Sequence, residues 1–145
     1  MAKRVADAMT QRVATVEPSQ TVVEAARAMK DQDVGSLPVV EDGTLIGIVT
    51  DRDIAMRVVA EGREGNATTI GEILSGELVT IALDQSLDEA IELMELHQVR
   101  RLPVVEDDGR LVGMIAQADV ALEAKEKKAG ELLQEVSQPS FKPRS

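Results

Sequence analysis

The chain has 145 residues, 43% of them apolar, and carries a formal net charge of −10. A unit of this length buries about 70% of its unfolded surface, while so large an acidic excess excludes general binding to nucleic acid or to an anionic membrane. Cysteine is absent, which excludes disulfides, thiol catalysis and thiolate metal sites together.

The core has to be aliphatic, because Phe141 is the only aromatic residue. At the N-terminus, MAKRVADAMTQR is charged and lacks an apolar h-region. No apolar run approaches the roughly 20 residues of a spanning helix. The expected address is cytoplasmic, with no membrane and no nucleic acid among the partners.

In chain order, VATV (Val13–Val16) reads as a short strand. Thr21-x-x-Glu24 is a capping box that opens a helix by satisfying its first free amides. Val22, Ala25, Ala26 and Met29 then fall on one helical face. LPVVE (Leu37–Glu41), the turn Asp42–Gly43 and TLIGIVT (Thr44–Thr50) form a hairpin pattern. A helix begins near Asp51, with aliphatic residues at Ile54, Ala55, Val58 and Val59. The polar stretch EGREGNATT (Glu61–Thr69) reads as a linker.

The same order then returns. LVTI (Leu78–Ile81) is a strand, and Ser86-x-x-Glu89 caps a helix with Leu87, Ala90, Ile91 and Met94 on one face. LPVVE (Leu102–Glu106), the turn Asp107–Asp108–Gly109 and RLVGMIA (Arg110–Ala116) form a second hairpin, and a helix starts near Ala118. ALEAKEKKAGELLQEV keeps a helical pattern, with Glu123 and Lys127 spaced as an i, i+4 pair, and SQPSFKPRS is an expected frayed tail.

From Val5 to Ala55, with Asp108 treated as an insertion, 17 of 51 aligned positions are identical. Chance supplies about three, so the chain is a duplication, and duplicated units of this size bury a face against each other. The expected layout is residues 1–60 for the first repeat, 61–69 for the linker, 70–124 for the second repeat and 125–145 for the C-terminal extension and tail.

Two short stretches stand out as chemistry. In IGIVTDRD, Thr50 and Asp53 are spaced as a capping box, and an acidic residue in a first turn also suits the helix dipole. The second copy keeps Asp119 but has Ala116 in place of Thr50. A pair kept only for capping has little reason to lose half of itself, which points to a further task for the aspartate. In HQVRRLPVV, Arg100–Arg101 replace the Gly35–Ser36 of the first copy. Surface arginines often pair only weakly with carboxylates, but a guanidinium fork also suits a phosphate. His97, the only histidine, has no partner for a metal or for acid–base work. GREGNATTIG has the wrong spacing for a dinucleotide fingerprint.

Tandem β-α-β-β-α units with LPVVE, the turn glycine, and G-I-V-T-x-x-D or G-M-I-A-x-x-D resemble paired CBS domains, the Bateman module. The resemblance covers residues 5–121, and the chain looks like a stand-alone two-CBS protein, a kind that includes bacterial hypoxic-response proteins. It implies an α/β (α+β) fold in which two repeats pack sheet to sheet about a pseudo-twofold axis, leaving two clefts. It also implies that the aspartate binds ribose and that the basic pair contacts phosphate. By the family's crossed geometry, Thr50 and Asp53 share a cleft with Thr80, Arg100 and Arg101. Asp119 shares the second, weaker cleft with Thr15, Gly35 and Ser36, so phosphorylated ligands are expected to prefer the first.

The implied function is regulatory: an adenosine-containing nucleotide (AMP, ADP or ATP) binds between the repeats and is sensed by a homodimer or a protein partner. No obligatory cofactor, metal or catalytic activity is expected. The alternative is a structural interaction module with vestigial ligand sites.

Overall fold

The computed structural model describes residues 3–74 and 78–123. Its longest helices are the two that begin at Ser/Thr caps. Helix α2 (Val22–Gln32) starts where Thr21 Oγ1 accepts the Glu24 N–H, and α5 (Leu87–His97) starts at a complete capping box between Ser86 and Glu89. Each ends on a residue in the left-handed region, Asp33 and Gln98. Val22, Ala25 and Met29 are buried on α2, and Leu87, Ala90 and Met94 on α5. Ala26, expected on the buried stripe, is exposed.

Each helix leads into a hairpin. Strands β1 (Ser36–Glu41) and β2 (Thr44–Thr50) pair antiparallel, as do β4 (Arg101–Val105) and β5 (Leu111–Ala116). The first turn places Asp42 and Gly43 at φ 52° and 81°, the double positive φ of a type I′ hairpin. The two turns also bind each other: Leu45 N–H donates to Gly109 O at 3.0 Å, and Leu111 N–H to Gly43 O at 3.2 Å.

The short apolar runs behave differently from the sequence expectation. Ile81–Ala82 form strand β3, parallel to β4. Val13–Val16 form no strand, and Val16 alone bridges Val39. That run feeds only two backbone bonds into β1, from Val16 N–H to Pro38 O and from Val40 N–H to Val16 O.

Packing crosses the repeat boundary. Helix α1 (Val5–Ala8) belongs to the first repeat by sequence, yet Val5 is buried in the second core beside Ile81, Leu102 and Ile115. Conversely, α4 (Ile70–Ile73) opens the second repeat, yet Ile70 and Ile73 are buried in the first core beside Val22, Leu37 and Val49. Each leading helix therefore completes the other repeat's core. The two repeats thereby form an α+β pair about a pseudo-twofold axis, as expected.

The expected linker is a docked segment. Val22 N–H donates to Thr68 O and Val23 N–H to Gly65 O, and the buried Thr68 donates its hydroxyl to Glu64 O at 2.7 Å. Past β2, the chain forms α3 (Asp51–Ile54), which continues as a π-helix over Ala55–Val59. Val58 is buried there, whereas Met56 and Val59 face outward. Residues 117–123 are helical in the second repeat. The Glu123–Lys127 pair and the tail fall at or beyond the end of the described residues.

Candidate functional site

Both aspartates sit where a hairpin strand becomes a helix. Thr50 N–H donates to Asp53 Oδ2 and Asp53 N–H donates to Thr50 Oγ1, each at 3.0 Å. Asp53 Oδ1 is 4.0 Å from Arg57 Nε, one turn further along. In the second repeat Ala116 N–H donates to Asp119 Oδ2 at 2.9 Å. The retained half of the box therefore still caps the strand end, which gives Asp119 a local task the repeat comparison had discounted. One carboxylate oxygen does this, and a carboxylate accepts about four hydrogen bonds in all. Capping uses Oδ2 alone, and among the described residues Asp119 Oδ1 forms no hydrogen bond.

A cleft of about 290 Å³ opens between the repeats beside Asp119. The second repeat contributes Arg101, Met114, Ala116, Ala118 and Asp119. The first contributes Val13, Ala14, Gln32, Val34 and the head of β1 from Ser36 to Pro38. Thr10 and Arg12, from the segment after α1, complete the wall. Its volume is at the lower end of the roughly 300–1,000 Å³ of small-molecule sites.

The expected residues are distributed as follows. Ser36 and Asp119 share this cleft. Thr15 is exposed and off the wall, which is formed by its neighbours Val13 and Ala14. Gly35 is also off the wall: its carbonyl accepts the Asp51 N–H at 2.9 Å, and a Cβ there would lie 3.0 Å from Asp51 Oδ2. Arg100 has the matching position in the second repeat, its carbonyl accepting the Gln117 N–H at 2.7 Å. Thr80 is partly buried just before β3.

Arg101, expected beside Asp53, lines the Asp119 cleft. Arg101 heads β4 and pairs with Ala116, three residues before Asp119. Ser36 and Arg101 are equivalent in the repeat and line one cleft together, so these strand heads meet where the two repeats face each other. On the Asp53 side, the positions equivalent to Thr10–Arg12 are 75–77, which lie outside the described residues.

Arg12 went unnoticed in the sequence, although a signal was present. Its repeat counterpart is Glu77, a reversal of charge just before the first apolar run. The expected second cleft was uncharged apart from Asp119, whereas the observed one carries two arginines. Among the described residues neither arginine nor Asp119 forms an ion pair; the pairs present are Lys3–Glu123, Arg57–Asp53 and Arg63–Glu72. Beside the polar Thr10, Gln32 and Ser36, the walls carry Val13, Val34, Pro38 and Met114, which offer apolar contact to a flat group.

Comparison with known proteins agrees with this architecture. The CBS domain model matches twice, over residues 5–60 and 70–126. The CBS domain-containing protein YhcV of Bacillus subtilis is 48% identical over 134 residues, 92% of this chain and 94% of YhcV. Hypoxic response protein 1 of Mycobacterium tuberculosis is 38% identical over 79% of this chain and 80% of its own length. The CBS domain pair of protein MJ0100, solved with 5′-methylthioadenosine and S-adenosyl-L-methionine, superposes with a TM-score of 0.77 at 27% identity. It covers 88% of this chain and 99% of that one. CBSX2 in complex with AMP gives a TM-score of 0.75 at 29% identity, covering 86% and 98%. With two matched domains, a repeat that coincides with them and cores completed across the repeats, the chain belongs to the CBS domain family as a tandem pair.

Proposed function

We propose that the chain is a regulatory module that binds an adenosine-containing nucleotide (AMP, ADP or ATP) between its repeats and transmits occupancy to a homodimer or a protein partner. The observation that carries this proposal is the shared lining of the Asp119 cleft: Ser36 and Pro38 come from one repeat, Arg101 and Asp119 from the other. A ligand spanning that cleft stabilises one relative packing of the repeats over others, and only such differential affinity shifts a conformational equilibrium.

The chemistry fits the parts of a nucleotide. On this reading the Asp119 carboxylate accepts from a ribose diol, the arginines bind phosphate, and the aliphatic side chains contact a base. Two solved CBS relatives hold adenosine compounds. By the same proposal Asp53 serves a second site, with Thr50 at the helix start and Thr80 and Arg100 at its margin.

The homodimer has its own support. Met56 and Val59 are 54% and 71% exposed on the π-helix, and Leu122, the repeat counterpart of Met56, is 58% exposed. Large aliphatic side chains left outward on both closing helices suit an isologous helical interface.

Calorimetric titration of the purified chain with AMP, ADP and ATP tests the function, with chromatography of the nucleotide afterwards. Saturable binding with unchanged nucleotide supports a regulatory site. No binding of any of the three at millimolar concentration removes the proposal, and turnover would replace it with catalysis.

A further inference from the structure

The wall that carries Arg12 is fixed by the second repeat, not by the first to which it belongs in sequence. Val5 N–H donates to Gln85 O and Ala6 N–H to Leu83 O, tying α1 beside α5. Two reciprocal bonds follow, Thr10 N–H to Met114 O at 2.8 Å and Met114 N–H to Thr10 O at 2.9 Å. Thr10 thus acts as a one-residue strand against β5, the neighbour of Ala116 and Asp119. Gly113 permits this approach: a Cβ there would lie 2.7 Å from Thr10 O and 2.9 Å from Met9 Sδ, closer than real contacts tolerate. Arg12 follows the anchored Thr10 by two residues.

Arg12, Arg101 and Asp119 share the cleft without ion pairs among the described residues. Two cations against one carboxylate give the cleft a positive excess inside a chain of net charge −10. A concave site with local charge opposite to the surrounding surface concentrates ligands of the complementary sign. The repeat places Glu77 where Arg12 stands, and Ser36 where Arg101 stands.

We infer that Arg12 is a specificity-determining residue of the Asp119 cleft, where with Arg101 it selects a phosphorylated nucleoside over the free nucleoside. Gly113 and the Thr10–Met114 pair position it. This inference rests on the proposed nucleotide site and reverses the ranking in which the Asp119 cleft is the weaker one for phosphate.

The test is a two-dimensional NMR titration of the full chain with AMP, adenosine and pyrophosphate, following the Ala116 and Ala118 amides so that only this cleft is read. Arg12→Ala, at an exposed position, is expected to weaken AMP by about tenfold or more and leave adenosine unchanged. Arg12→Lys is expected to recover part of the loss. Gly113→Ala is expected to lower the AMP-to-adenosine preference in the same direction. An unchanged AMP affinity in Arg12→Ala, or an equal loss for AMP and adenosine, overturns the inference. If pyrophosphate moves these amides in the unaltered chain but neither AMP nor adenosine does, the nucleotide proposal falls alone, and the Arg12 dependence of pyrophosphate binding still decides this one. If none of the three moves them, both fall.

Discussion

Replacing Ile70 by alanine should weaken the first repeat's core, although Ile70 lies in the second repeat's sequence. Its side chain is fully buried among Val22, Leu37 and Val49. The change deletes three carbons, which at about 0.8 kcal/mol per buried methylene removes roughly 2.4 kcal/mol of transfer free energy. Incomplete collapse of the space adds a cavity cost, so the total belongs in the 2–5 kcal/mol range of large-to-small core changes. At roughly 2–4 °C per kcal/mol for a chain of about this size, a 3 kcal/mol loss lowers the melting midpoint by about 6–12 °C.

Native-state hydrogen exchange locates the damage. Amides of α2, β1 and β2 should lose protection first, while those of β4 and β5 keep theirs. Val5→Ala should do the reverse, exposing β4 and β5. Loss centred on β4 and β5 in Ile70→Ala, or equal loss throughout the chain, would refute the separate, crossed cores.

Three further outcomes follow from local geometry. Ala116→Thr should restore the missing acceptor for the Asp119 N–H and raise stability by about 1 kcal/mol, read as a higher denaturation midpoint without ligand; a fall would mean that a hydroxyl does not fit there. Glu89 is held below the ordinary carboxylate range, first by the Gln85 side-chain amide and then by the Ser86 N–H. Its ionised form is therefore favoured in the fold, giving stability that is present above the unfolded pKa and lost as pH falls through the depressed one. Gln85→Ala should raise the Glu89 pKa in a carboxyl NMR titration and shrink that acid-side loss, and an unmoved titration would count against the bond. For assembly, light scattering should give about 31 kDa, twice the 15.6 kDa chain mass. Met56→Glu with Val59→Glu should bring it to one chain, whereas a mass of one chain for the unaltered protein would contradict the dimer.

Much of this fold was legible because local signals and the repeat agreed. Thr21 and Ser86 mark the starts of α2 and α5, and Asp42–Gly43 marks a turn that needs two positive φ values. What stayed hidden depends on contacts distant in sequence. Val5–Ala8 and Ile70–Ile73 are single turns too short to announce themselves by periodicity, and they form because each drops aliphatic side chains into the opposite core. Val13–Val16 has strand composition but gains only one bridging residue on β1, so composition alone overstated it. The polar stretch Glu61–Thr69 lies between the two matched domains, but its backbone bonds to α2 are not revealed by composition.

The same limit shaped the site. Asp119 and Ser36 could be grouped through the family resemblance, but both strand heads, Ser36 and Arg101, line the cleft where the repeats face each other. Within its own hairpin Arg101 lies across from Ala116, three residues before Asp119. Arg12 depends on a still longer route, through α1, the Thr10–Met114 bonds and Gly113. Its only mark in the sequence was a charge reversal against Glu77.

The claim that both repeats hold one ligand is tested most directly by a crystal structure of the chain grown with AMP. The nucleotide should lie in the cleft between Ser36 and Asp119, its ribose hydroxyls within hydrogen-bond distance of the Asp119 carboxylate and its base against Val34, Pro38 or Met114. AMP contacting one repeat alone, or bound away from both Asp53 and Asp119, would contradict it.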